Sequence, residues 1–347
     1  WIEQVSSELH YNDKNLIEKV IRALSLLEML VKAGCPLVFK GGTALMLILG
    51  KSAHRLSIDI DLICPPGTNI EDYLKSFADF GFINLELVER KQRDDADIPK
   101  SHSKFFYQIA YRNDTDAQSY ILLDVLYEDI HYFRTQQIAI NCPFIRLEGK
   151  PLMVTVPSAE DILGDKLTAF APNTTGIPYY RNGRSCSMEI AKQLYDVGRL
   201  FENVSDLQIT KEAFRKIAVV ELSYRSFGTD IGQVFNDIRQ TALCISTRGK
   251  AGEGDFDLIQ DGIIRVKSFM YKQRYLIDHA IIDAARAAYL ATLIEKGINE
   301  IESYSNNPAD IKDMVIRPSL PNKLNKLRSN LPEAYYYWAK TSELLEA

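Results

Sequence analysis

A double glycine, Gly41-Gly42, separates a short apolar run, Pro36 to Phe39, from the alternating segment Leu56-Ser57-Ile58-Asp59-Ile60-Asp61-Leu62. No other stretch constrains the fold as much. The apolar run predicts a strand that ends at the glycines. Thr43 is suited to cap a helix built on Ala44, Leu45, Leu47, Ile48 and Leu49. A second strand then carries Ser57, Asp59 and Asp61 at alternate positions, and a period of two sends all three to one face. Leu56, Ile58, Ile60 and Leu62 face the opposite way, into a core.

Two carboxylates side by side repel each other. A divalent cation relieves that repulsion, and hard oxygen ligands suit Mg2+. The Gly41-Gly42 turn at a helix N-terminus offers backbone N–H groups to an anion, with no Cβ to block it. A phosphate cradle facing a carboxylate pair describes a Mg2+–nucleoside triphosphate site, where metal activates a hydroxyl and neutralises the leaving pyrophosphate. Each half alone has a plainer reading: a double glycine is a turn in most proteins, and D-x-D is often a solvated strand face. Their order along one short stretch joins them.

Lys40-Gly41-Gly42-Thr43-Ala44-Leu45, followed by Arg55-Leu56-Ser57-Ile58-Asp59-Ile60-Asp61-Leu62, resembles the AbiEii/AbiGii-type toxins, also called MenT-like toxins. These are nucleotidyltransferases of type IV toxin–antitoxin and phage-defence systems in the DNA polymerase β-like superfamily. Other members of that superfamily usually show GS and a longer spacer before D-x-D. The resemblance implies an α+β chain: a polymerase-β-like nucleotidyltransferase domain at 1–156, with a mixed sheet flanked by helices, then a mostly helical domain at 157–347 completing the cleft. It implies nucleotide binding by Lys40, Gly41, Gly42, Thr43, Arg55 and Ser57, and metal binding by Asp59 and Asp61.

Three further residues join this set. Tyr120 to Tyr127 is an apolar run that reads as a buried strand, and Asp124 interrupts it. A buried lone carboxylate is costly unless paired or metal-bound, and a strand end or a hydrogen-bonded turn also accommodates one. In the resembled family a third acid from a neighbouring strand completes the metal site, and Asp124 fits that place. Ser158-Ala159-Glu160-Asp161 is a capping-box pattern opening a helix through Leu163, Lys166, Leu167 and Phe170. A helix lysine ordinarily snorkels to water. Gly164-Asp165-Lys166-Leu167-Thr168-Ala169 is similar to the family's A-x-K-L-x-A pattern, apart from glycine where alanine is frequent. The similarity assigns Lys166 to the triphosphate, which a compact point charge suits. Lys192-Gln193-Leu194-Tyr195-Asp196-Val197 resembles the family's R-x-K-D-x-x-D-L motif, with Gln193 in place of its first acid. Only Asp196 carries over, to hold Lys166 or a substrate group. A plain i,i+4 pair with Lys192 is the other reading.

At 347 residues, 46% hydrophobic and 25% charged, the chain has the size for two domains and a large core. No apolar run approaches the roughly 18 residues of a membrane span. The N-terminus, Trp1-Ile2-Glu3-Gln4, has no signal pattern. Five scattered cysteines without a C-x-x-C pair, and five dispersed histidines, read as a reduced cytoplasmic chain with no disulfide framework or zinc site. A net charge of −5 restricts nucleic-acid contacts to local basic patches.

Elsewhere the spacing predicts one or two helices over 6–34, with Gly34 as a stop and packing behind the first strand. It predicts a short helix over 70–80, strands at 82–88 and 104–111, a solvated charged loop at 89–100 and a hairpin connection at 112–119. The Pro/Gly/Asn-rich stretch 172–187 reads as a loop in which Arg181 and Arg184 either touch phosphate or merely solubilise it. Helices are predicted at 188–201, 211–224, 231–245, 257–269, 275–296 and 332–345. Arg265, Lys267, Lys272 and Arg274, and Lys323, Lys326 and Arg328, form basic clusters that either track RNA or solvate a face.

The resulting expectation is a nucleotidyltransferase using Mg2+ or Mn2+ to move NMP from an NTP to an RNA acceptor, the tRNA 3′ end. Asp59, Asp61, Asp124, Lys166 and Asp196 are the catalytic set, and a cognate antitoxin is the implied partner. Transfer to a protein or a small molecule, and a non-catalytic NTP-binding regulator, are the rival readings.

Overall fold

The structure, a computed structural model, describes residues 1–88, 100–110, 117–204, 207–225 and 230–347. The chain divides into two units, Trp1–Ser158 with Ser268–Arg274, and Ala159–Lys267 with Tyr275–Ala347.

The first unit opens with α1 (Ile2–Leu9) and α2 (Lys14–Lys32), then β1 (Val38–Lys40) running directly into α3 (Gly41–Leu49). β2 (Ile60–Cys64), β3 (Asn84–Val88), β4 (Lys100–Gln108) and β5 (Gln118–Tyr127) complete a five-stranded sheet in the order β1-β2-β5-β4-β3. β2 and β5 are parallel and the other pairs antiparallel, so the sheet is mixed. β6 (Thr135–Ala139) and β7 (Met153–Pro157) pair separately.

α2 follows from its sequence. The Asp13 side chain caps it by accepting from the Leu16 N–H, and the chain leaves it through Gly34 at φ +76°. Ile17, Val20, Leu24, Leu27 and Leu30 form its buried stripe, packed on β2 and β5. Leu27 is fully buried, so Leu27→Ala is expected to cost about 3 kcal/mol through lost burial and a residual cavity. Urea denaturation checks this, and a loss below about 1 kcal/mol would mean the stripe does not hold the unit together.

Other segments depart from expectation. The predicted helix at 70–80 is two 3-10 turns, Ile70–Tyr73 and Phe77–Phe80; Ile70 and Leu74 alone are buried there, too few for an apolar helical stripe. β4 starts at Lys100, four residues before the predicted strand, because Lys100 to Lys104 continue the ladder against Leu126 to Leu122. The charged run and the hairpin connection fall largely on 89–99 and 111–116, outside the described residues.

The second unit begins with α4 (Ala159–Ala169) and a small hairpin, β8 (Tyr180–Arg181) and β9 (Arg184–Ser185). α5 (Ser187–Phe201), α6 (Leu207–Tyr224), α7 (Ile231–Ser246), α8 (Phe256–Val266), α9 (Ile277–Lys296), α10 (Leu327–Asn330) and α11 (Pro332–Glu346) follow. α9 is buried on nearly all sides from Ala280 to Ile294 and packs against α5, α7 and α11. Asp283 inside this helix is fully buried, and desolvation pushes its carboxyl above the usual range against the pull of Arg199 and Arg286. Arg199 Nη2 lies 3.2 Å away and the Tyr275 hydroxyl 3.0 Å away, so the charge is compensated. No helix among the described residues is long and apolar enough to cross a membrane, and all five cysteines are free thiols.

Candidate active site

The two sequence blocks meet in the first unit. Gly41 takes φ +79°, and a Cβ on it would lie 2.8 Å from Asp61 Cγ and closer still to Oδ2. A Cβ on Gly42 would lie 2.8 Å from Ser57 Oγ and 3.0 Å from Arg55 Nη2. Each glycine is therefore the space that an S-x-D-x-D side chain needs. β1 pairs with β2 so that Lys40 opposes Asp61, which puts the start of α3 beside the carboxylate.

Two expectations about this stretch are corrected. Thr43 does not cap α3: it is the helix's third residue, fully buried, and its hydroxyl donates to the Asp59 carbonyl at 2.7 Å. The N-cap is Lys40, which makes no side-chain cap bond. Ser57 and Asp59 do not lie on the strand, which starts at Ile60. β1 has only three residues, so its ladder to β2 stops at Asp61, and residues 54–59 take other partners. The Leu56 N–H donates to Phe269 O at 2.8 Å, Arg55 bridges Met270, and Tyr271 N–H donates to His54 O at 3.1 Å. The segment Ser268–Arg274 thus props the acid-bearing stretch, a contribution with no local sequence signal.

Asp124 is the parallel-strand partner of Asp61, one on β5 and one on β2. It is not buried as the apolar run suggested. β5 buries only Ile121, Leu123 and Val125, and Asp124 lies on the other face with its side chain 37% exposed. There it meets His102, its cross-strand partner on β4, whose Nδ1 contacts Asp124 Oδ1. Sequence reasoning missed His102. Extending the buried alternation Ile109, Tyr107, Phe105 backwards puts Ser103 in the core and His102 on the acid face, so parity alone would have found it.

Arg55 is 6% exposed and donates from Nη1 to Leu56 O at 3.1 Å; Lys40 Nζ lies 6.0 Å from the Tyr132 ring centroid. Among the described residues no group of three or more His, Cys, Asp or Glu is arranged to hold an ion as it stands. A Mg2+ site, however, is ordinarily one or two carboxylates completed by water and substrate phosphates. Asp61 and Asp124 in register, with Asp59 two residues upstream, are a donor set of that kind.

In the second unit Lys166 is buried on α4, and its Nζ lies 3.1 Å from Asp196 Oδ2 and 3.0 Å from Gln193 Oε1, both on α5. Gln193 keeps an oxygen acceptor for the lysine without adding a second buried negative charge. Gly164 has its own reason: a Cβ there would stand 2.8 Å from both Phe214 N and Thr210 O of α6. Arg181 and Arg184 face each other across β8 and β9, joined by Asn182 and Gly183, both at positive φ as a tight two-residue hairpin requires. Of the basic clusters, Arg265 lies 3.6 Å from Asp261, Lys272 donates to Lys51 O at 2.9 Å, and Arg328 donates to Ile311 O at 3.1 Å.

Among solved structures, JHP933 from Helicobacter pylori is similar over 83% of this chain and 92% of its own, at 16% identity and a TM-score of 0.41. The nucleotidyltransferase toxin MenT4 from Mycobacterium tuberculosis H37Rv is similar over 85% of this chain and 89% of its own, at 14% identity and a TM-score of 0.47. No curated protein matches. The sequence model of one family, described as nucleotidyl transferase AbiEii toxin of type IV toxin–antitoxin systems, matches residues 24–311. That match takes in the double glycine, the S-x-D-x-D stretch, Asp124, Lys166 and Asp196, and the chain belongs to the AbiEii nucleotidyltransferase toxin family.

Proposed function

We propose that the chain transfers a nucleoside monophosphate from an NTP to an RNA hydroxyl, at the tRNA 3′ end, releasing pyrophosphate and blocking translation. The setting would be toxin–antitoxin control or phage defence, with a cognate antitoxin as partner. The observation carrying the reading is the seating of Gly41 against Asp61 and Gly42 against Ser57, with Asp124 in register beside them.

In this reading the first backbone N–H groups of α3 and the Ser57 hydroxyl bind triphosphate oxygens, where the absence of a Cβ permits close approach. Asp61 and Asp124, with Asp59, hold Mg2+ or Mn2+. Such an ion, when bound, activates the attacking hydroxyl and neutralises charge on the leaving pyrophosphate. Thr43 fixes the Asp59 backbone. Lys166, oriented by Asp196 and Gln193, supplies positive charge to the triphosphate. Positioning of the acceptor in line with the scissile bond accounts for the rest.

Incubation with total tRNA, Mg2+ and each α-32P-labelled NTP in turn tests this. Label should appear on RNA with a preferred nucleotide and fall about 1,000-fold in Asp59→Ala and Asp61→Ala, the scale of losing a dominant electrostatic contact. Label on protein instead would move the acceptor to a polypeptide side chain. Nucleotide binding without any transfer would leave a regulator in place of a transferase.

A further inference from the structure

We propose that His102 is a positioning residue for the ion site. Its Nδ1–H holds Oδ1 of Asp124, so that the carboxylate's other oxygen is the one presented to the divalent cation. The inference rests on the reading of Asp61 and Asp124 as metal ligands.

His102 faces Asp124 across the antiparallel β4–β5 ladder, and Nδ1 meets Oδ1 directly. The imidazole is 11% exposed and the carboxylate 37%, so a ring set into the sheet grips a side chain that reaches outward. Strand parity sets the face it occupies: Ser103 beside it is in the core, so His102 lies on the opposite face with Asp124. The two ring nitrogens are not equivalent. Nε2 is buried and, among the described residues, has no hydrogen-bond partner. A buried N–H left unmet is the costlier orphan, whereas an unprotonated nitrogen there leaves only a lone pair unmet. A proton on Nδ1 with none on Nε2 leaves only that lone pair unmet, and this tautomer is the one that donates to Asp124.

An aspartate alone on a strand face rotates about two side-chain bonds and presents either oxygen. A donor fixed on one oxygen removes that freedom before the ion arrives, as partners of metal-binding carboxylates ordinarily do.

The test is Mn2+ binding to the whole chain, with the free ion read by electron paramagnetic resonance, and thermal melting of every variant. His102→Ala should raise the Mn2+ Kd by about tenfold or more, within the usual range for losing such a partner. Asp124→Ala should raise it at least as far. His102→Asn should bind within about threefold of the parent, because the Asn Nδ2–H stands where the ring Nδ1–H does. Should His102→Ala melt at lower temperature, the asparagine variant carries the comparison, since a donor-independent packing role would not be rescued by it. A His102→Ala Kd equal to the parent's, with Asp124→Ala impaired, would overturn the positioning role and leave the ion site standing. Equal binding by the parent and Asp124→Ala, or equal weakness of His102→Asn and His102→Ala at parental melting temperature, would also overturn it; the first of these removes the ion-site reading as well.

Discussion

Replacing Gly41 with alanine is expected to reduce nucleotidyl transfer by about 100-fold in a chain that still folds. Gly41 combines two demands that no other glycine of the first unit combines with this acid. Its φ of +79° is left-handed, which costs a residue with a Cβ about 1–2 kcal/mol. The added methyl would also overlap the Asp61 carboxylate, its Cβ 2.8 Å from Cγ. Either the carboxylate swings away or the β1–α3 turn backs off, and a misplacement of about 1 Å at a reacting centre suffices for a loss on that scale. Gly34→Ala separates the two effects. Gly34 also has positive φ, +76°, but a Cβ there meets nothing within 4 Å. It should lose a similar amount of backbone stability and retain transfer. Calorimetric melting and transfer rates on both variants check this. Equal activity of the two would show that the double glycine serves the turn and not the acid.

How much of this was legible in sequence follows from how local each signal is. The strand–GG–helix–strand order is local, and the glycines needed only the residues beside them to be read as a cradle. The helices of the second unit were legible for the same reason: α7, α9 and α11 repeat apolar residues at helical spacing and match their predicted spans to within about two residues. The Arg181-Asn182-Gly183-Arg184 hairpin was legible but unread, since Asn-Gly is a strong two-residue turn signal.

What failed was non-local. Asp124 looked like a charge in a doubly buried strand because Leu122 and Leu126 are as apolar as Ile121 and Leu123. Only the sheet decides that one set packs in the core while the other shares a face with His102. Ser57 and Asp59 alternate correctly for a strand, yet a three-residue β1 gives them no ladder, and the Thr43 hydroxyl and the Phe269 carbonyl take their backbone neighbourhood instead. Residues 268–274 lie some 200 positions from the stretch they support, and spacing along a chain carries no such information.

Removing Lys166 should have the largest effect on stability, and the way it is removed decides what the lysine is for. Lys166 and Asp196 are 8% and 2% exposed and 3.1 Å apart. Lys166→Met takes from a buried carboxylate the cation it faces, which ordinarily costs about 3–5 kcal/mol. For a unit of this size that corresponds to roughly 10 °C in melting temperature, at about 2–4 °C per kcal/mol. Asp196→Leu should do the same from the other side. The double variant Lys166→Met/Asp196→Leu restores apolar packing and should recover most of the stability, because a buried ion pair replaced as a whole is often neutral. Transfer should not recover with it. If Lys166 carries charge to the triphosphate, all three variants lose transfer by about 1,000-fold whatever their melting temperature. If the pair only joins α4 to α5, activity should follow stability, and the double variant should transfer nearly as well as the parent. The divergence of the two readouts in one protein separates a structural lysine from a catalytic one.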